Sequence, residues 1–264
     1  MLTLSEMFIY PIKSMGGISL KSSEIEERGL KYDRRYLLVD ENGVFMTQRD
    51  FPQMSLLKLS FTDKGFKVLN IKDNSSTIIP FKSGSKERIR VKIWDDYCEA
   101  VPLNKEVADW FSNAINNKCS LVYMPDFEKR LVEKKYIDQN HIVSFADAYP
   151  FLIIGQASLD DLNSKLTLPV PMDRFRPNFV FAGGNPYEED KWETFKIGKA
   201  EFRAVKPCAR CVITTTDQET AFRSVEPLKT LSEYRNIKNK VMFGMNLVCC
   251  SMATISINEK ITLL

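Results

Sequence analysis

The chain has 264 residues, 44% of them hydrophobic and 27% charged, the balance of a soluble globular protein with a sizeable core rather than a disordered or fibrous one. Its 37 Lys and Arg against 34 Asp and Glu leave a formal net charge of +3, too small to make nucleic acid or an anionic membrane an obligatory partner. Any strongly basic site must be local.

The amino-terminal stretch MLTLSEMFIYPIKSMGG carries Glu6 and Pro11 in a short apolar run without a basic leader, unlike a secretory signal or a spanning helix. The first hundred residues then alternate apolar and polar positions in short runs, as half-buried strands do. RYLLVDENGVFMTQR reads as a hairpin turning at Asn42-Gly43, Asp63-Lys64-Gly65 divides LLKLSF from FKVLNI, and RIRVKIW continues through Asp95-Asp96 towards CEAV. A helix follows Asn104 as N-cap, with Val107, Trp110, Phe111, Ala114 and Ile115 on one face. PDFEKRLVEKKYIDQN has no period and reads as a solvated excursion or linker. A second helix is expected from about Gly155 to Leu166 and a third from Pro227 through Tyr234. SLVYM, NFVFAG, AEFRAVK, CVITTT, MNLVCC and ATISI are strand candidates. The expected fold is mainly β with a few helices (α+β), with a boundary between roughly 90 and 145.

Six cysteines at 98, 119, 208, 211, 249 and 250 are too scattered for a dense disulfide framework, so a reducing cytoplasm is expected. Cys208 and Cys211 form a CxxC, but no second CxxC or HxxxH completes a zinc site, and no plant-type iron–sulfur spacing occurs. A thioredoxin-like dithiol favours a helix start, whereas the β-branched run Val212–Thr216 favours a strand. The single histidine, His141, reads as a surface residue rather than the base of a Cys/His pair. Cys211 as a soft-metal ligand remains, its thiolate favoured if Lys206 and Arg210 point towards it, against the plain alternative of two small buried cysteines.

IYPIKS, YDRRYLLVD, FADAYPFLIIGQASLDDLN, FRPNFVFAG, KPCARCVITTTD, EPLKTLSEYR and FGMNL occur in the order found in MOSC-domain proteins, over essentially the whole chain. Within that family the sequence resembles the mitochondrial amidoxime-reducing component and its bacterial relatives. The resemblance implies a MOSC N-terminal β-barrel domain over residues 1–120, a MOSC-type β-barrel over 121–264, and a cofactor cleft between them. It further implies the molybdenum cofactor, a molybdopterin, with Cys211 as metal ligand and Cys208 as structural companion. Lys13, Ser14, Arg34, Arg176 and Asn178 match family positions that contact the cofactor, Ala209 and Arg210 lie inside the C-x-R-C motif, and Asp147, Ala148 and Tyr149 form another loop beside it. Ala148, Tyr149 and Ala209 depart from the hydroxyl-bearing residues of the mitochondrial members, and Asp147 is a candidate proton acceptor.

The implied activity is two-electron reduction of an N-hydroxylated or N-oxygenated small molecule. No flavin or dinucleotide fingerprint is visible, so a separate flavoprotein or small redox protein is the expected electron donor, with no nucleic acid or membrane partner and a cytoplasmic location. The alternatives are a molybdenum-cofactor carrier or sulfur-transfer module without reductase activity, and a thiol-based redox protein using Cys208 and Cys211.

Overall fold

The structure is a computed structural model that describes residues 1–137 and 140–264. It is mainly β, with three α-helices. The largest sheet runs, in spatial order, through Ile261–Leu263, Thr194–Ile197, Ala200–Ala209, Lys240–Ser251, Phe151–Gly155, Phe179–Ala182, Thr3–Ile9 and Ile18–Ser19. Neighbours are antiparallel except Phe151–Gly155 and Phe179–Ala182, which run parallel. Thr3–Ile9 buries Leu4, Met7 and Ile9 against Phe151, Phe179 and Phe202, a bulge between Leu4 and Glu6 restoring the inward face that a three-residue step would lose. Those rings pack face to face and edge to face, with Phe151 5.6 Å from Phe179 and 5.4 Å from Phe202.

The rest of the first half curls into a barrel-like pair of sheets. Tyr36–Val39, Ser120–Tyr123, Asp96–Pro102 and Ile89–Ile93 form one, and Leu57–Thr62, Gly65–Asn70 and Ser76–Pro80 the other. The hairpin at Lys64-Gly65 needs its glycine: φ is +154° and an added Cβ would lie 1.9 Å from the Ile79 carbonyl oxygen. Helix α1 (Lys105–Ile115) begins where expected, the Asn104 side chain accepting the Val107 N–H at 3.1 Å. It buries Val107, Phe111 and Ile115 in a core shared with Phe66 and Val68. Helices α2 (Gln156–Asn163) and α3 (Leu228–Tyr234) occupy the expected places, α2 ending three residues early. No described helix is long and apolar enough to cross a membrane.

Four expectations are corrected. The second arm of the Asn42-Gly43 hairpin is no strand but isolated bridges at Val44 and Phe45, because the Asp40 carboxylate accepts the N–H groups of Asn42 and Val44 and holds a wrapped turn. CVITTT is not a strand: ladder pairing of Ala200–Ala209 ends at Ala209 opposite Met242, and Val212–Thr215 turn as a short 3₁₀ helix. There the Thr214 and Thr215 hydroxyls donate to the carbonyls of Cys211 and Val212, so side chains that favour a strand by shape stabilise a tight turn by hydrogen bonding. His141 is half-buried rather than a free surface residue, and burial pulls its pKa down. The charged excursion is not simply solvated, since Arg130, Val132 and Ile137 are buried; its residues 138 and 139 lie outside the described part.

Candidate cofactor cleft

A cleft of about 310 Å³ opens between residues of the first half and residues of the second. All the site residues singled out from the sequence line it. Arg49, Trp94 and Lys206 line it too.

Its cationic wall is built on unusual backbone. Ser14, Arg34 and Arg176 all take left-handed conformations, with φ of +64°, +47° and +55°. For L-residues each costs roughly 1–2 kcal/mol, and such strain concentrates where a chain must aim specific groups. The Arg34 and Arg176 guanidiniums lie on the Tyr10 ring, each 4.3 Å from its centroid. Arg34 also donates to the buried Asp33 carboxylate at 2.6 Å and to Asn178 Oδ1 at 3.1 Å. Asn178 Oδ1 accepts from Leu152 N–H as well, and its amide nitrogen donates to the Phe8 carbonyl, so Asn178 is committed to the protein and positions Arg34. Arg176 donates to the Met15 carbonyl, and burial pulls its pKa down to about 10. Ser14 is held from behind, its carbonyl accepting from Gln48 Nε2 at 2.9 Å. Gln48 in turn exchanges amide hydrogen bonds with Gln218, joining the two halves beneath the cleft.

Asp147 is the one lining carboxylate among the described residues, and three groups converge on it. Lys13 Nζ donates at 2.5 Å and Trp94 Nε1 at 3.2 Å, while Arg49 Nη2 stands 3.5 Å away. Enclosure by protein works to raise its pKa, but the Lys13 and Arg49 charges and the donated hydrogen bonds outweigh it, holding the carboxyl well below the usual carboxylate range. Burial in turn pulls Lys13 down to about 8 despite its partner. The loop itself is pinned by Arg130, which donates to the carbonyls of Ser144, Ala146 and Asp147 and pairs with Asp96 at 2.8 Å. Ala148 and Tyr149 also pack with Val132 and Val248, and burial pushes the Tyr149 hydroxyl up to about 12.

Cys211 sits where strand Ala200–Ala209 has ended and the 3₁₀ turn begins. The cation facing its sulfur is neither Lys206 nor Arg210. Lys206 pairs with Glu133 at 3.1 Å, and Arg210 donates to Cys208 Sγ at 3.0 Å and to the Phe175 carbonyl at 2.7 Å. Arg49 takes that place, its Nη2 3.4 Å from Cys211 Sγ. Cys208 also lines the cleft, half-buried and packed beside Phe175 and Phe243, and all six cysteines are unpaired. Ala209 closes the strand between the two cysteines, and His141 does not line the cleft.

Among the described residues six cations, Lys13, Arg34, Arg49, Arg176, Lys206 and Arg210, face the cleft against one carboxylate. Among the described residues no group of three or more His, Cys, Asp or Glu side chains could hold a metal ion. The donor set therefore fits an anionic ligand that carries most of a metal's ligands itself and takes one thiolate from the protein.

Arg49, Trp94 and Arg130 are the site residues that reading the sequence missed. Trp94 left a trace: a bulky aromatic at a two-residue hairpin turn, where Asn, Asp or Gly is usual.

Residues 1–118 match the MOSC N-terminal beta barrel domain and residues 140–262 the MOSC domain. The mitochondrial amidoxime reducing component 2 of Bos taurus is 31% identical over 245 residues, covering 88% of this chain and 72% of the relative. Its Homo sapiens counterpart is 31% identical over 243 residues, with the same coverage. The molybdenum cofactor sulfurase of Oryza sativa subsp. japonica is 31% identical over 262 residues, 92% of this chain but only 32% of that protein. The chain thus belongs to the MOSC-domain family, with a MOSC N-terminal β-barrel domain followed by a MOSC domain, and is related to the mitochondrial amidoxime reducing components.

Proposed function

We propose that this chain binds the molybdenum cofactor through Cys211 and reduces N-hydroxylated or related N-oxygenated compounds. The observation that carries the reading is a thiol with a guanidinium 3.4 Å from its sulfur, set in a cleft where, among the described residues, cations outnumber carboxylates six to one. The balanced reaction takes two electrons and two protons and converts the N–OH group to N–H and water; the bound cofactor would supply the two-electron chemistry at the oxygen.

The chain's own groups divide the remaining work. Arg49 places an N–H donor 3.4 Å from the Cys211 sulfur, where a metal-bound thiolate would accept it. Arg34 and Arg176, fixed on Tyr10, provide forked donors for the ligand's anionic tail. Asp147 stays ionised at neutral pH, so it serves as an acceptor that orients a substrate N–H or O–H and is a weak base. Lys13, titrating at about 8, keeps a proton on Nζ beside it. Electrons come from a separate flavoprotein or small redox protein. Six free cysteines suit a reducing compartment such as the cytoplasm.

The sulfurase relatives favour a second reading, a cofactor carrier or sulfur-transfer module without reductase activity. Protein purified from a cofactor-producing host should hold near-stoichiometric molybdenum and pterin and reduce benzamidoxime with an artificial donor. Cys211→Ser should lose both metal and activity, and Cys208→Ser should retain the metal. Loaded but inactive protein would favour the carrier, and metal-free protein would remove both readings.

A further inference from the structure

Trp94 occupies the two-residue turn between Ile89–Ile93 and Asp96–Pro102 with φ of +55°, a conformation that costs a tryptophan roughly 1–2 kcal/mol. Such a turn is most cheaply made by Asn, Asp or Gly, so the side chain, and not the turn, accounts for the residue. The indole is fixed on three sides: Nε1 donates to Asp147 Oδ1 at 3.2 Å, the Arg49 guanidinium lies 4.6 Å from the ring, and Phe45 meets it edge to face at 4.9 Å. Yet it remains 43% exposed, at the lining of the cleft. The guanidinium on the indole is the same one that stands 3.4 Å from Cys211 Sγ. These contacts offset the conformational cost and hold the indole rigid, while much of its apolar surface stays open to the cleft beside the guanidinium that faces Cys211.

We infer that Trp94, braced by Arg49, is a stacking subsite that makes the cleft select substrates whose N-oxygenated group is conjugated to a planar aromatic ring over small aliphatic ones. This deepens the proposed reductase reading and rests on it for the identity of the reacting group. A ring carried on an amidoxime carbon is coplanar with it, so stacking on the indole also directs the N–O bond inwards towards Asp147 and Cys211. The chemistry comes from the second half of the chain and the selection from the first.

The test uses cofactor-loaded protein and two probes, benzamidoxime and acetamidoxime, each measured by calorimetric binding and by turnover. Offset aromatic stacking contributes about 0.5–1.5 kcal/mol beyond area burial, so with the buried ring added the wild type should bind benzamidoxime about tenfold more tightly. Trp94→Ala should reduce that ratio to within about twofold of unity, and Trp94→Phe should keep most of it. The ratio is the readout because losing the Asp147 hydrogen bond weakens both probes alike. An unchanged ratio in Trp94→Ala, or no aromatic preference in the wild type, overturns the subsite. A binding ratio that behaves as stated in protein that reduces neither probe supports the subsite and overturns the reductase reading instead.

Discussion

Replacing Asp147 by Asn tests whether the carboxylate holds the cleft's charges in place. The change keeps the shape and one acceptor oxygen but removes the negative charge that Lys13, Arg49 and Trp94 address. Lys13 is 6% exposed and Asp147 52% exposed, so the pair is half in water. Breaking a fully buried pair costs about 3–5 kcal/mol and an exposed one about 0–1, which places this loss near 2 kcal/mol after allowance for solvent screening. For a chain of this size that is a fall in Tm of about 4–8 °C. Thermal unfolding of the wild type and Asp147→Asn would measure it, with Asp109→Asn as control, because the Lys105–Asp109 pair is 82% and 58% exposed and should shift Tm by about 2 °C at most. Lys13 should also titrate below its present value of about 8, readable by NMR of the methylated amine. A Tm within about 1 °C of wild type, with the Lys13 titration unmoved, would refute the claim that Asp147 organises the cleft.

Two further outcomes follow from the same geometry. Because the Lys13 pKa falls from 10.5 to about 8, its charge disappears as pH rises through 8, and affinity for an anionic ligand, assayed with inorganic phosphate, should drop between pH 7 and 9. The linkage to stability has the opposite sign, since the unfolded chain binds the extra proton between pH 8 and 10.5, so neutralising Lys13 adds stability across that window; Lys13→Met should flatten both profiles. Arg130→Met strips the donors from three loop carbonyls and should cost about 3 kcal/mol, with faster amide exchange over residues 143–149 than elsewhere, measured by hydrogen–deuterium exchange.

The sequence speaks most clearly where one local rule decides. Asn104 and the apolar stripe behind it place α1 to the residue, and the turns at Gly65 and Asp95 place two hairpins. CVITTT misleads because shape and hydrogen-bonding capacity pull threonine in opposite directions, and the end of a neighbouring ladder settles the contest. The cleft residues found in advance are those inside compact motifs. Arg49 was hidden because its meaning depends on a sulfur 162 positions away, and Arg130 because a charged run looks like a solvated one until its carbonyl partners are known.

Strand Thr3–Ile9 has its main neighbour at Phe179–Ala182, with Thr3 opposite Ala182. Only Phe8 and Ile9 pair locally, with Ile18 and Ser19, so most of the strand depends on a partner far along the chain, a pairing of high contact order that slows folding and leaves a sticky edge in the meantime. Cutting the gene near residue 120 would strand that segment on the wrong fragment, so the two halves are inseparable as working parts even though each has a recognisable pattern of its own.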